Sequence, residues 1–244
     1  MDDSRTIASG NSLLASLPAA DFALLRPHLR AVPLRQGVVL QEPGELIEQV
    51  HFPTDGIISL LAVMRTGEAI ETATIGREGA VGSLSGLGPR RSHTRAVVQV
   101  EGSALRMTAA AFRAASDRSA AIFDIVLRYS EMLLIQVGQT AACNALHDVE
   151  ARLSRWLLQA NDRLDGNIVG LTHEFLSQML GVRRTTVTVT ASALQQAGLI
   201  QYRRGQIEIL DRAGLEGRAC ECYAAIREQV RRVLPVPLES VKSS

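Results

Sequence analysis

The stretch from Leu171 to Leu210, LTHEFLSQMLGVRRTTVTVTASALQQAGLIQYRRGQIEIL, constrains the fold more than any other part of the chain. Thr172 is a good N-cap for a short helix running to about Leu180, because a threonine oxygen can accept from an otherwise unpaired amide of the first turn. Gly181 then supplies a tight turn, and Val182 is placed to plug the small core between two helices. A second helix, starting near Arg183, is predicted to run to about Ala197, with Gly198 at its C′ position. Its apolar residues Val187, Ala191 and Leu194 are spaced i, i+4, i+7 and define one buried face. Arg184, Thr185, Thr188, Ser192 and Gln195 fall on the other. Leu199 to Leu210 reads as a hairpin about Arg204-Gly205, with Ile207 and Ile209 alternating inward.

The outer face of that second helix is short-chained, polar and free of acid, with Arg183 and Arg184 at its leading end. Small side chains permit close entry into the DNA major groove, and arginine reaches guanine or phosphate. Two helices about a glycine turn, followed by a hairpin wing with Arg203 and Arg204 at its tip, predict a winged helix-turn-helix. The expected DNA-contacting residues are Thr172, Arg183, Arg184, Thr185, Thr188, Val189, Ser192, Arg203 and Arg204.

The remainder of the chain changes texture twice. Residues 11–30 read as short helices. From about 31 to 108, short apolar or alternating runs (Val38 to Leu40, Ile57 to Val63, Ile70 to Ile75, Ala96 to Val100, Ala104 to Met107) alternate with turn signals. Those signals include Pro43-Gly44, Asp55-Gly56, Thr66-Gly67 and Glu101-Gly102, and the pattern predicts a small antiparallel sandwich or barrel. Thr108 to about Asp148 lacks proline and reads as one long helix after an initial turn. Ile122, Ile125, Tyr129, Met132, Gln136, Gln139, Cys143 and Leu146 form a 3–4 spaced seam with two Gln in its middle, which fits either a helix packed on its own β-domain or a dimer coil. In the coil reading, Phe123, Val126, Leu133 and Leu134 would cover the sheet domain. Residues 149–165 make a further amphipathic helix through Val149, Leu153, Trp156, Leu157 and Ala160.

Composition narrows the class. The chain has 244 residues, 46% hydrophobic and 21% charged, with a net charge of +1; this is the balance of a water-exposed folded protein. No apolar run approaches the roughly 20 residues that span a bilayer. The acidic start MDDSRTIASGNSLLASLP lacks the basic and apolar regions of a signal peptide, so a cytoplasmic protein with no membrane partner is expected. The three cysteines do not form a disulfide framework. Cys220 and Cys222 make a C-x-C pair with no second ligand pair nearby in sequence, so no metal site is expected and they read as semi-buried thiols. G-x-S-x-G, H-E-x-x-H and phosphate-loop patterns are absent, and the reading is of a non-enzyme.

The order of parts resembles the Crp/Fnr family of bacterial transcription regulators. The likeness is carried by THEFLSQMLGVRRTTVTVTASALQQAGLI and by NALHDVEARLSRWLL, which includes Asp148 and Arg152 at the family's hinge. It implies an α+β chain: an N-terminal antiparallel, jelly-roll-like β-roll of the cyclic-nucleotide-binding type over 1–110, a dimerisation helix over 111–148, and a winged helix-turn-helix with a C-terminal helix over 149–244. It implies a homodimer through the long helix on double-stranded DNA, with RNA polymerase left open as a further partner. IGREGAVGS (Ile75 to Ser83) is similar to the family's phosphate-binding cassette. The implied effector pocket is Gly76, Arg77, Glu78, Gly79, Arg90, Arg91 and Arg95.

Here the chain departs from the pattern. Arg77 stands where a cyclic-nucleotide binder has the ribose-binding Glu, and Glu78 follows it. Val137 and Gly138 stand where the cyclic-AMP member has the Thr-Ser pair that touches adenine. Cyclic-AMP sensing is therefore not expected, and the effector is left open. An iron–sulfur cluster is not expected, because the first cysteine is Cys143, nor is haem, because His28, His51 and His93 are scattered. On the reading helix, Thr185 and Val189 replace a Glu and an Arg, which leaves Arg184 as the main base reader. An effector-independent regulator with a vestigial β-roll is the alternative.

Overall fold

A computed structural model describes residues 10–88 and 90–233. Asn11 opens α1 (Ser12–Ala15), its side-chain oxygen accepting from the Leu14 amide, and α2 (Ala19–Leu25) follows. The sheet comprises β1 (Arg30–Leu34), β2 (Val39–Gln41), β3 (Gln49–Val63), β4 (Ala69–Ile75) and β5 (Arg95–Thr108), with α3 (Ser83–Leu87) between the last two. Its order is β1-β5-β3-β4, with β2 also on β5, and every pairing is antiparallel.

Two sequence turn signals prove to be bulges. Asp55-Gly56 lies inside the 15-residue β3, and Glu101-Gly102 inside the 14-residue β5. The β3–β5 register slips three times between Pro53 and Ile58. Gly56 sits at φ 82°, where an added Cβ would lie 2.7 Å from the Val100 carbonyl oxygen. Glycine at that point lets two long strands bend together rather than end.

The predicted long helix is two. Helix α4 (Ala109–Ser116) is followed at Asp117–Ser119 by a break, and α5 (Ala120–Leu146) begins where the Ser119 hydroxyl accepts from the Ile122 amide. Helix α6 (Val149–Arg163) starts two residues beyond α5, capped by Asp148 on the Ala151 amide. His147 and Asp148 both take extended backbone and form the joint. The reader continues with β6 (Ile168–Gly170), α7 (His173–Leu180), α8 (Arg184–Gln196), β7 (Ile200–Arg203), β8 (Gln206–Ile209), α9 (Arg212–Arg218) and α10 (Cys222–Val233).

The seam, which the family resemblance would give to a dimer coil, packs mostly within the chain. Ile122, Tyr129 and Met132 are buried in a core shared with α1, α2, β3, β5 and α4, Gln136 donates to Thr74, and Cys143 is fully buried. Val126 is buried as expected and Leu133 packs on the sheet core. Phe123 and Leu134, expected to cover the sheet, are 49% and 72% exposed. The sheet thus takes most of the seam together with Val126 and Leu133, and leaves Phe123, Leu134 and, at the end of the seam, Leu146 exposed.

Helix α6 is buried on nearly every side. Leu153, Trp156, Leu157 and Ala160 join the reader core, and Ile57 and Val100 of the sheet belong to the same cluster. Arg152, Arg155, Gln159 and Arg163 are buried too, and Arg163 pairs with Glu78 just beyond β4. Helix α10 sends Ile226 and Val230 into the core of α5 and the β-roll. Among the described residues, no helix is long and apolar enough to cross a membrane.

Candidate nucleic-acid interface

Helix α7 begins where the Thr172 hydroxyl accepts from the Phe175 amide, and ends at Gly181 in the left-handed region at φ 61°. The left-handed φ selects glycine there, while the atom nearest to an added Cβ, Ile70 Cδ1 at 2.8 Å, is the far end of a flexible side chain that can give way. Val182 packs against the reader core as a partly buried plug. Arg183 takes the N-cap position and α8 begins at Arg184. Val187, Ala191 and Leu194 face inward and are at most 3% exposed.

All nine residues expected to meet DNA are exposed: Thr172, Arg183, Arg184, Thr185, Thr188, Val189, Ser192, Arg203 and Arg204. Helix α8 contains no acidic residue, so the only formal charge on its outer face is positive. Val189 is 70% exposed, an apolar side chain held in water among hydroxyls and guanidinium groups. The Thr188 hydroxyl is already engaged, donating to the Arg184 carbonyl at 3.0 Å and lying 3.0 Å from His173 Nδ1.

The wing is a two-residue hairpin. Arg203 pairs with Gln206, and Arg204 and Gly205 both take positive φ, 50° and 77°. That is the geometry of a primed turn, whose twist suits a hairpin. A left-handed arginine costs about 1–2 kcal/mol, and the turn holds it exposed at the tip of the hairpin. The wing is fastened to α8 by the Tyr202 amide donating to Gln195 Oε1 at 2.8 Å. Gln195 is therefore a positioning residue rather than part of a free outer face.

His173 was missed by sequence reasoning. Its ring stacks on Tyr202 at 4.4 Å between centroids, touches Thr188, and so braces α7, α8 and the wing together. Burial first, and then the Arg184 charge, hold its pKa below the usual histidine value, favouring the neutral ring. A histidine directly after a capping threonine carries no distinctive pattern; the signal lies only in the tertiary stack.

The implied effector pocket is not assembled. Arg77 is 3% exposed and lies 3.3 Å from Asp165 and 3.6 Å from Asp55. Glu78 pairs with Arg163 of α6 at 2.7 Å and accepts from the Gly76 amide. Gly76 closes against the Arg163 side chain, and Gly79 against Tyr129. Arg95 bonds Glu42 at 2.9 Å and Arg91 donates to the Gly44 carbonyl at 2.6 Å, while Arg90 is exposed at φ 64°. The physical reason is charge compensation. Helix α6 presents a buried arginine to the sheet, and the cassette turns Glu78 toward it instead of toward a ligand.

A cavity of about 210 Å³ lies one step along the cassette, lined by Ile75, Val81, Tyr129, Leu133 and Val137, with Thr72 and His93 among its polar groups. It is smaller than the roughly 300–1,000 Å³ of ligand pockets. Gly138 is exposed and outside it. His28 and His93 are exposed, whereas His51 is buried.

Two further contacts join the sheet to the C-terminal part: Trp156 Nε1 donates to Glu71 at 3.1 Å in a buried bond, and Gln36 donates to the Gly170 carbonyl at 2.9 Å at the surface. Within the C-terminal part, Arg152 donates to the Leu180 carbonyl just before the Gly181 turn. The hinge arginine of the sequence reading thus grips the end of α7.

Residues 151–218 match the family described as the Crp-like helix-turn-helix domain. FixK2 from Bradyrhizobium japonicum is similar in structure, with a TM-score of 0.67 at 15% identity over 79% of this chain and 98% of that one. A transcriptional regulator of the CRP family from Thermus thermophilus gives 0.65 at 18% identity, over 77% and 96%. The c-di-GMP-responsive global regulator CLP of Xanthomonas campestris gives 0.60 at 14% identity, over 79% and 99%. At these identities the likenesses establish the fold. No curated protein is significantly similar in sequence.

Proposed function

We propose that the chain is a Crp/Fnr-family transcription regulator that reads double-stranded DNA as a homodimer under control of its β-roll, a reading supported by its Crp-like helix-turn-helix domain and by its fold. The observation that carries the reading is the outer face of α8: Arg184, Thr185, Thr188, Val189 and Ser192 stand exposed with no acid among them. Arg184 is the base reader, with guanine as its preferred partner, and Val189 suits a thymine methyl. Thr172, Arg183, Arg203 and Arg204 hold the duplex backbone.

The dimer forms on the stripe of α5 that the fold leaves open. Phe123, Leu127, Leu134 and Ala141 are exposed and spaced 4, 7 and 7 residues apart, which is a heptad repeat. Two copies joined there would address two half-sites about 34 Å apart. Control passes from the β-roll to the reader through Glu71–Trp156 and Glu78–Arg163, since an effector acts only by contacting two arrangements of these elements unequally.

Binding-site selection from a random DNA library tests the reading. A palindromic consensus with a guanine lost on Arg184→Ala is the expected result. Enrichment of no sequence over bulk DNA would overturn it. Repeating the selected-site mobility shift with cyclic nucleotides separates an effector-controlled protein from one whose affinity is fixed.

A further inference from the structure

Cys143 and His147 lie four residues apart at the end of α5 and therefore share a face. Cys220 and Cys222 bracket the turn between α9 and α10, 77 residues beyond Cys143 in sequence. The fold brings the two pairs together. Cys143 Sγ is 3.5 Å from Cys220 Sγ, Cys222 Sγ is 3.6 Å from His147 Nδ1, and all four donor atoms lie within 4.8 Å of one another. The three thiols are buried and the imidazole is partly so.

That donor set and spacing suit one metal ion. Zinc holds sulfur at about 2.3 Å and imidazole nitrogen at about 2.0–2.1 Å in a tetrahedron, which places neighbouring ligand atoms roughly 3.5–3.8 Å apart. An iron–sulfur cluster spreads its ligands over two or more irons, so the full set lies farther apart than around one ion. The surroundings agree. His147 Nε2 lies 3.1 Å from the Glu221 carboxylate, which fixes the proton on that nitrogen and turns the Nδ1 lone pair toward the sulfurs. Gln139 Nε2 donates to Cys222 Sγ at 3.0 Å. Three thiolates with a divalent cation carry one net negative charge, and the Arg155 guanidinium acts on Cys143 from nearby.

We propose that Cys143, His147, Cys220 and Cys222 bind a single zinc ion that clamps the α9–α10 turn to the end of α5. The three thiol protons pass to solvent on binding, and no electron is transferred. The clamp spans the His147–Asp148 joint, so it fixes the angle at which the reader leaves α5. The metal assignment stands apart from the DNA reading, because it is tested without DNA.

The test uses the full chain with any affinity tag removed, purified under reducing conditions. Elemental analysis is expected to give one zinc per chain. Cobalt titrated into chelator-treated protein should produce thiolate-to-cobalt charge-transfer absorption with the visible bands of a four-coordinate ion, and release protons to a pH indicator. Cys220→Ser/Cys222→Ser should abolish the spectrum, His147→Cys should retain a four-coordinate one, and Glu221→Gln should weaken binding roughly 10–100-fold. Zinc-free protein that gives no thiolate–cobalt spectrum would overturn the site, as would a Cys143–Cys220 disulfide formed in place of metal binding. The wild-type measurements need no variant to fold.

Discussion

Trp156 and Glu71 meet across the joint between reader and sheet, the indole Nε1 donating to the carboxyl at 3.1 Å while Ser59 Oγ donates to its other oxygen at 2.5 Å. Burial pushes the Glu71 pKa up to about 7, outweighing the two hydrogen bonds and the charges of Arg155 and Arg163 that pull it down. Between its ordinary value of 4.5 and about 7 the folded chain keeps this proton and the unfolded chain loses it. Stability contributed by this site therefore falls as pH rises through that window, by roughly 3 kcal/mol in all. The chain has a single tryptophan, so its emission reports the contact. A pH titration of fluorescence is expected to show a transition near pH 7 that Glu71→Gln removes. An identical profile in the variant would assign the transition elsewhere.

The Glu78–Arg163 pair is buried on both sides, with side-chain exposures of 2% and 7%. Removing one partner leaves the other charge without compensation in a site of low polarity. Arg163→Met should destabilise the chain by about 3–5 kcal/mol, and adding Glu78→Gln should recover part of that loss. Urea denaturation of the two single variants and the double variant measures the coupling. Independent, additive losses would show that the pair does not join the two parts energetically.

The reader was legible because its signals are local. Thr172, Gly181, Gly198 and the Arg204-Gly205 turn each fix backbone within a few residues, and each stands where the sequence placed it. The sheet was less so. Asp55-Gly56 and Glu101-Gly102 carry the same residue types in a bulge as in a turn, and only the β3–β5 register decides between them. Both sides of α5 are apolar, and periodicity alone does not say which side the sheet takes. Arg77 and Glu78 were given to a ligand because their partners, Asp165 and Arg163, lie 85 or more residues away. The Cys143–Cys220 approach was hidden in the same way.

Arg184 and Arg203 are exposed at different parts of the reader, one on the helix face and one on the wing. Base contact and phosphate contact leave different signatures. Arg184→Ala should cost roughly 1–3 kcal/mol at the selected site and relax preference at one position, while Arg203→Ala should weaken all sequences alike and lower the salt slope by about 1. Fluorescence anisotropy on specific and scrambled duplexes across a salt series distinguishes them. Equal losses on both duplexes for Arg184→Ala would remove it from base reading.

The buried and open sides of α5 respond differently to substitution. Leu134 is 72% exposed and lies on the Phe123–Leu127–Ala141 line, whereas Met132 is 3% exposed in the β-roll core. A charge at Leu134 meets water in a monomer and a second copy's apolar side chain in a dimer; only the dimer is penalised. Leu134→Glu should therefore yield a folded monomer, seen as a halved mass by sedimentation equilibrium with an unchanged far-ultraviolet dichroism spectrum. Its specific DNA affinity should fall with the loss of the second half-site. Met132→Ala, on the opposite side, should instead cost about 2–5 kcal/mol of stability through the cavity it leaves, with the dimer mass retained. A Leu134→Glu chain that keeps the wild-type mass would place the interface off this stripe. A dimer lost on Met132→Ala but not on Leu134→Glu would restore the seam through Tyr129 and Met132.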